Sequence, residues 1–155
     1  RDKADLVLDT SNTSPNELRL KLGSFFPLAN NRNIQIILQS FSFRKGSPSG
    51  LDMIFDCRFL KNPNWEDHLK NLYGTDTEVK NYLYKDKSWE SFNSSLIKMM
   101  STIIPSFERE GKSYLSIGLG CTGGQHRSVF VAEQLFEHLL DKDYDVKILH
   151  TTLQK

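Results

Sequence analysis

The chain has 155 residues, 38% of them hydrophobic and 25% charged, which suits one globular domain with a real core. With 20 basic against 19 acidic residues the net charge is +1, so bulk electrostatics select neither nucleic acid nor a membrane surface, and such a partner needs a local patch. No apolar run approaches the roughly 18 residues that span a bilayer. The two cysteines, Cys57 and Cys121, lack metal-ligand spacing, which argues for reduced thiols in a cytoplasmic protein and for no metal site.

The chain begins RDKADLVLDTS, with neither Met nor a signal-peptide core, as expected of a fragment of a longer protein. Leu6-Val7-Leu8 reads as a strand stub. Ser14-Pro15-Asn16-Glu17 combines a Ser cap, Pro at the first position and Glu three residues on. It opens a helix over Pro15–Phe26 that stops before Pro27. Asn33–Phe43 reads as a strand, RKGSPSG as a turn-rich loop, and Met53–Asp56 as a second strand. A turn follows at Lys61-Asn62-Pro63-Asn64.

Thr75-Asp76-Thr77-Glu78 is a second capping box, leading a helix to about Lys85. Ser88 caps a longer one. Its stripe of Trp89, Phe92, Leu96, Met99, Ile103 and Phe107 recurs at three- and four-residue spacings. Pro105 bends that helix or falls near its end, and Gly111 closes it. Tyr114–Leu119 reads as a strand and Arg127–Leu140 as a helix buried through Val129, Leu135, Phe136 and Leu139. Val146–Leu149 is a last strand. Strands alternating with helices predict an α/β fold, with a mostly parallel sheet of about four to five strands flanked by helices. There is no internal repeat or boundary, so residues 1–155 read as a single domain.

YLSIGLGCTGGQHRSVF, residues 114–130, is the segment richest in chemistry. Strand, glycine loop, helix is how a fold presents bare backbone N–H groups to an anion, and Arg127 adds a planar fork suited to phosphate. Ligands of parallel sheets sit outside the strands' carboxyl ends. There, Asp56-Cys57-Arg58 and Ser42-Phe43-Arg44-Lys45 should join the loop around one crevice. Arg127, Arg58 and Lys45 suit a dianionic phosphate, and Asp56 suits hydroxyl or amine groups of a phosphorylated sugar or amino sugar. The plainer alternatives stay open: glycines that only permit a tight turn, a solvent-facing His126, a purely structural Asp56–Arg58 pair, and Trp65 and Trp89 as core residues. Cys57 reads as a small buried hydrophobe. Cys121 and Arg127 also fit the C-x5-R-S/T pattern of cysteine-dependent phosphatases, so Cys121 is a weak candidate nucleophile. Gly120, however, stands where those enzymes place His, and the Asp general acid they need on another loop has only Asp56 or Asp86 as guesses.

The blocks IGLGCTGGQHRSVFVAEQL and SFSFRKGSPSGLDMIFDCRFLKNPNW resemble the signatures of the RapZ/YvcJ family of bacterial RNase adapter proteins. The helix entry TDTEVKNYL, the ending HTTLQK and the start ADLVLDTSNTSPNELR agree, so the resemblance spans essentially the whole chain. It implies the C-terminal domain alone, resembling a sugar-phosphate kinase fold without catalysis. Residues 1–12 would then be the tail of, or linker from, an N-terminal nucleotide-binding domain. ATP or GTP belongs to that other domain, since no G-x-x-x-x-G-K-S/T occurs here, and this domain is expected to take no cofactor.

The resemblance further implies sensing of glucosamine-6-phosphate and binding of small regulatory RNA that is presented to an endoribonuclease. It also implies contact with a two-component system and homo-oligomers, dimers or tetramers. Carried over by position, the ligand residues are Asp56 and Arg58, then Cys121, Thr122, Gly123, Gly124, Gln125, His126 and Arg127. Asn64 stands where the family commonly has His, keeping hydrogen bonding but losing charge. The family's dense basic tail is not matched by TTLQK, which leaves Arg44, Lys45, Lys142 and Lys147 as a thin set of RNA contacts. An RNA-binding module without a metabolite role is the competing function.

Overall fold

The computed structural model describes Thr10, Ser11, Thr13, Ser14, Leu18 and residues 34–153. The chain divides into two compact units, residues 1–32 and 33–155. In the first, the Leu18 amide donates to the Ser14 carbonyl at 2.9 Å. The expected strand stub at Leu6–Leu8 and the rest of the expected helix Pro15–Phe26 lie outside the described residues.

The second unit is an α/β layer. Its elements are β1 (Gln35–Ser42), β2 (Met53–Asp56), α1 (Thr77–Tyr84), α2 (Trp89–Arg109), β3 (Tyr114–Cys121), α3 (Arg127–Leu140) and β4 (Val146–His150). Single 3-10 turns occur at Phe43–Lys45 and Pro63–Trp65. The four strands pair in the order β2-β3-β1-β4, and every pairing is parallel. The three helices flank this sheet. Parallel neighbours need long crossovers; α1 and α2 supply the one between β2 and β3, while α3 leads from β3 past β1 to β4 at the other edge.

The central strands are apolar because helices cover them. Ile36 and Leu38 of β1, Leu115, Ile117 and Leu119 of β3, and Phe130, Val131 and Leu135 of α3 share one core. Trp89 packs its ring 4.5 Å from that of Phe130. At the far edge, His150 of β4 is pinned twice. Its Nδ1 meets the Ser40 hydroxyl at 2.7 Å, and its Nε2 meets the Glu133 carboxylate at 2.8 Å. That histidine contact is the main cause holding the Glu133 carboxyl below its ordinary pKa.

Three local expectations are corrected. Asp76, not Thr75, stands at the N-cap of α1 and makes no side-chain cap bond, because its carboxylate accepts from the Tyr73 amide at 2.6 Å. Ser88 stands at the N-cap of α2 as expected but makes no side-chain cap bond; its own amide donates to Asp86 at 2.8 Å. The buried stripe of α2 is Trp89, Leu96, Met100 and Ile104, one position further round than expected, while Phe92, Met99, Ile103 and Phe107 are only partly buried. The helix continues past Pro105 to Arg109.

Candidate functional site

Parallel strands bring Ser42, Asp56, Cys121 and His150 to the same end of the sheet. The loop Thr122–His126, between β3 and α3, is held there from four directions. From beneath, the Cys121 sulfur accepts from the Gly124 amide at 3.2 Å and meets the Ser128 hydroxyl at 3.1 Å. From β1, the Ser42 hydroxyl donates to the Thr122 carbonyl at 2.8 Å. From the C-terminal segment, the Thr152 hydroxyl donates to the Gly124 carbonyl. From the outside, the segment Leu69–Gly74 clasps Gln125 and His126. Gln125 Nε2 donates to the carbonyls of Leu72 at 2.7 Å and Lys70 at 3.0 Å. The Gly74 amide donates to the Gln125 carbonyl at 2.9 Å.

His126 Nε2 lies 3.1 Å from the Leu69 carbonyl. A carbonyl only accepts, so Nε2 carries a proton. Burial lowers the His126 pKa below its ordinary 6.5, outweighing the surrounding carbonyls, which pull the other way.

Two adjacent glycines have opposite surroundings. Gly124 has φ +70°, and a Cβ there would lie 2.8 Å from the Ser42 amide nitrogen. Gly123 has no left-handed φ, and a Cβ there would meet nothing within 4 Å. Gly123 therefore borders open space in the site.

Arg127 is the electrostatic centre. It is 5% exposed, yet it makes no ion pair among the described residues. Its Nη1 donates to the carbonyls of Arg58 at 2.9 Å and Leu60 at 3.1 Å, and Nη2 donates to the Thr122 hydroxyl at 3.3 Å. Its buried Nε has no partner. Burying a cation without a carboxylate is costly, so the site is electrostatically incomplete.

Asp56 and Arg58 pair with each other. The Arg58 guanidinium donates to both Asp56 oxygens at 2.6–2.9 Å and lies over the Phe43 ring at 4.3 Å. The Arg58 hydrogen bond is the main cause holding the Asp56 carboxyl below its usual range, with a smaller push from the Arg127 charge.

A first pocket of about 90 Å³ is lined by Cys121, Thr122, Gly123, Gln125, His126 and Arg127, together with Arg44, Asn62 and Asn64. A second, of about 490 Å³, adjoins it through Asn62, Thr122 and Arg127, and is also lined by Arg58, Phe59, Leu60, Lys61, Trp65, Asp86 and Lys87. Most of the expected ligand residues are thus brought together. Gly124 of the loop packs against Ser42 and Thr152 and lines neither pocket, and Asp56 lines neither, its carboxylate being committed to Arg58. Arg44 reaches the first pocket and Lys45 is its neighbour. Lys147 lies near the start of β4 and Lys142 just after α3, toward the sheet's amino end, so the four basic residues form no single patch.

Cys121 is 2% exposed and braces the loop with its sulfur, and the Arg127 fork is spread over two carbonyls and the Thr122 hydroxyl rather than offered as a matched pair. Burial pushes the Cys57 thiol up, keeping it protonated. Trp89 is core, at 5% exposure, but Trp65 is not: at 79% exposure it corrects the expectation of a core residue. Asn62, Lys61 and Lys87 escaped the sequence reading of the site, as did the Leu69–Gly74 clasp. Asn62 sits in a turn read only for its geometry, and nothing in residues 69–74 predicts that their carbonyls face the loop. Among the described residues no cluster of His, Cys, Asp or Glu can hold a metal ion, and no helix is long and apolar enough to cross a membrane.

The family model for the RapZ C-terminal domain matches residues 34–154. A nucleotide-binding protein of Dinoroseobacter shibae is 44% identical over 155 residues, covering 100% of this chain and 52% of the relative. One of Cereibacter sphaeroides is 42% identical, covering 100% and 51%. One of Corynebacterium jeikeium is 37% identical, covering 100% and 53%. The chain spans about half the length of the curated relatives it matches.

Proposed function

This chain belongs to the RapZ C-terminal domain family, and from that premise we propose that its first pocket binds a phosphorylated amino sugar such as glucosamine-6-phosphate, as a non-catalytic sensor. The observation that carries the reading is Arg127, a buried guanidinium with no counter-ion among the described residues and an unpartnered Nε. A phosphate dianion in the pocket that Arg127 lines supplies the missing charge. The amide side chains of Asn64 and Gln125 line the same pocket and suit hydroxyl and ammonium groups of the sugar, whereas the Asn62 oxygen already accepts from the Asn64 amide. Asp56 joins them only by leaving Arg58.

In a longer protein, the occupied pocket would signal to a small regulatory RNA and its endoribonuclease, with the chain assembled as a homo-oligomer and ATP or GTP bound by the other half. The dispersed basic residues give metabolite binding more support than RNA binding. Calorimetry with glucosamine-6-phosphate tests the pocket. Arg127→Ala should abolish binding. Because Arg127 also holds the Arg58 and Leu60 carbonyls, Gly123→Val is the cleaner variant: it should fold normally and lose the ligand. Unchanged affinity in a folded Gly123→Val protein would overturn the assignment.

A further inference from the structure

The second pocket is left unexplained by a sugar phosphate in the first. At about 490 Å³ it falls within the ~300–1,000 Å³ usual for small-molecule sites. Its aromatic wall is Trp65, which is 79% exposed. Phe59, beside it, already packs on Phe92 with ring centroids 4.8 Å apart, so Trp65 offers the free ring face.

The charge of this pocket is positive once its pairs are counted. Arg58 is offset by Asp56. Asp86 is the one carboxylate in the lining, and it is spent on backbone amides: Lys61 N at 2.6 Å and Ser88 N at 2.8 Å. The ammonium groups of Lys61 and Lys87 form no ion pair among the described residues, and buried Arg127 closes the shared wall.

A free aromatic face beside unpaired cations is the chemistry that recognises a base and its phosphate together. An inorganic anion has no use for Trp65, and a neutral sugar has none for two unpaired lysines. We propose that the second pocket binds a nucleoside phosphate, with the base stacked on Trp65 and the phosphate held by Lys61 and Lys87. This goes beyond the sugar-phosphate reading and does not depend on it, since Trp65, Lys61 and Lys87 line the second pocket only. The shared wall of Asn62, Thr122 and Arg127 makes the two ligands sensitive to one another.

The test titrates the protein with adenosine 5′-monophosphate by calorimetry and tryptophan fluorescence, with adenosine and ribose 5-phosphate as half-ligands. The whole nucleotide should quench the exposed Trp65 and bind at least about tenfold more tightly than either half. Trp65→Ala, at an exposed position that the fold does not need, should weaken it by about 5- to 150-fold, the range for one lost base stack. Lys61→Ala with Lys87→Ala should flatten the salt dependence of the affinity. The proposal is overturned if Trp65→Ala leaves nucleotide affinity unchanged, if ribose 5-phosphate binds as tightly as the nucleotide, or if no binding occurs at about 10 mM, weaker than even a 1 mM site would allow. Nucleotide binding that survives Gly123→Val while glucosamine-6-phosphate binding never appears would sink the sugar-phosphate reading and leave this one standing.

Discussion

Helix α2 and the loop after β3 are built on opposite principles. Helix α2 is 21 residues long, and its place is decided by one apolar stripe that any complementary core would accept. The loop between Cys121 and Arg127 has almost no apolar surface. It is held by hydrogen bonds to β1, to the Leu69–Gly74 segment, to Thr152 and to the Cys121 sulfur. The helix is robust because its stabilisation is non-directional and spread over many contacts. The loop is specific because each contact has one partner at one distance, and a lost partner leaves a buried polar group unsatisfied. Non-directional packing is thus concentrated in one region and directional contacts in the other.

The comparison can be broken most forcefully in the helix. Ile104 is fully buried, and Ile104→Ala should cost about 2–5 kcal/mol, read as a fall in the urea midpoint. Ligand affinity of the remaining folded fraction should hold. A variant that binds weakly while fully folded would mean that helix and site are coupled.

The next effect belongs to the loop. Gly124→Ala forces a methyl into a left-handed residue packed against the Ser42 amide. It should cost at least about 1–2 kcal/mol and shift the loop as well. Its neighbour sharpens the contrast, since Gly123→Ala should change stability by less than about 0.5 kcal/mol yet reduce glucosamine-6-phosphate binding. Equal destabilisation by the two alanines, measured by thermal melts, would show that Gly123 too is a structural glycine.

The smallest effect is one of pH. Native His126 resists protonation because it is buried, whereas the unfolded chain takes up that proton below its ordinary pKa of about 6.5. The unfolded state then binds more protons, so this residue's contribution to stability is present above about pH 6.5 and declines as the pH falls below it. His126→Gln keeps a donor for the Leu69 carbonyl and should flatten the melting temperature between about pH 7 and pH 5. A wild-type curve no steeper than the variant's would remove His126 as the cause.

Periodicity, short apolar runs and the capping box at Thr75–Glu78 together found the four strands and three α-helices described, because burial on one face repeats at two residues in a strand and at 3.6 in a helix. The capping rule put the start of α1 at Thr75 rather than Asp76, whose carboxylate takes the Tyr73 amide instead of a helix amide. At the site, the cluster from Cys121 to Arg127 was legible because its residues are contiguous and chemically unusual. Asp56 was legible as chemistry but not as geometry, since the choice of Arg58 over the crevice depends on a side-chain pair two residues apart at the end of β2. Trp65 was misjudged because tryptophan is usually core, and nothing local reveals that a 3-10 turn points it outward.

By itself, then, the sequence determined the layer of parallel strands and helices, the glycine loop with its arginine, and the family resemblance, all of which reside in contiguous residues or in their period. Only the tertiary structure decided that Arg127 would lie buried without a counter-ion among the described residues, that Gly123 would border open space while Gly124 would not, and that Trp65, Lys61 and Lys87 would share a second pocket. Those outcomes depend on segments far apart in the chain, 69 residues between Arg58 and Arg127 and 80 between Ser42 and Thr122. Local pattern says nothing of which distant carbonyl or side chain completes a contact, because that is set by how the sheet and its crossovers close.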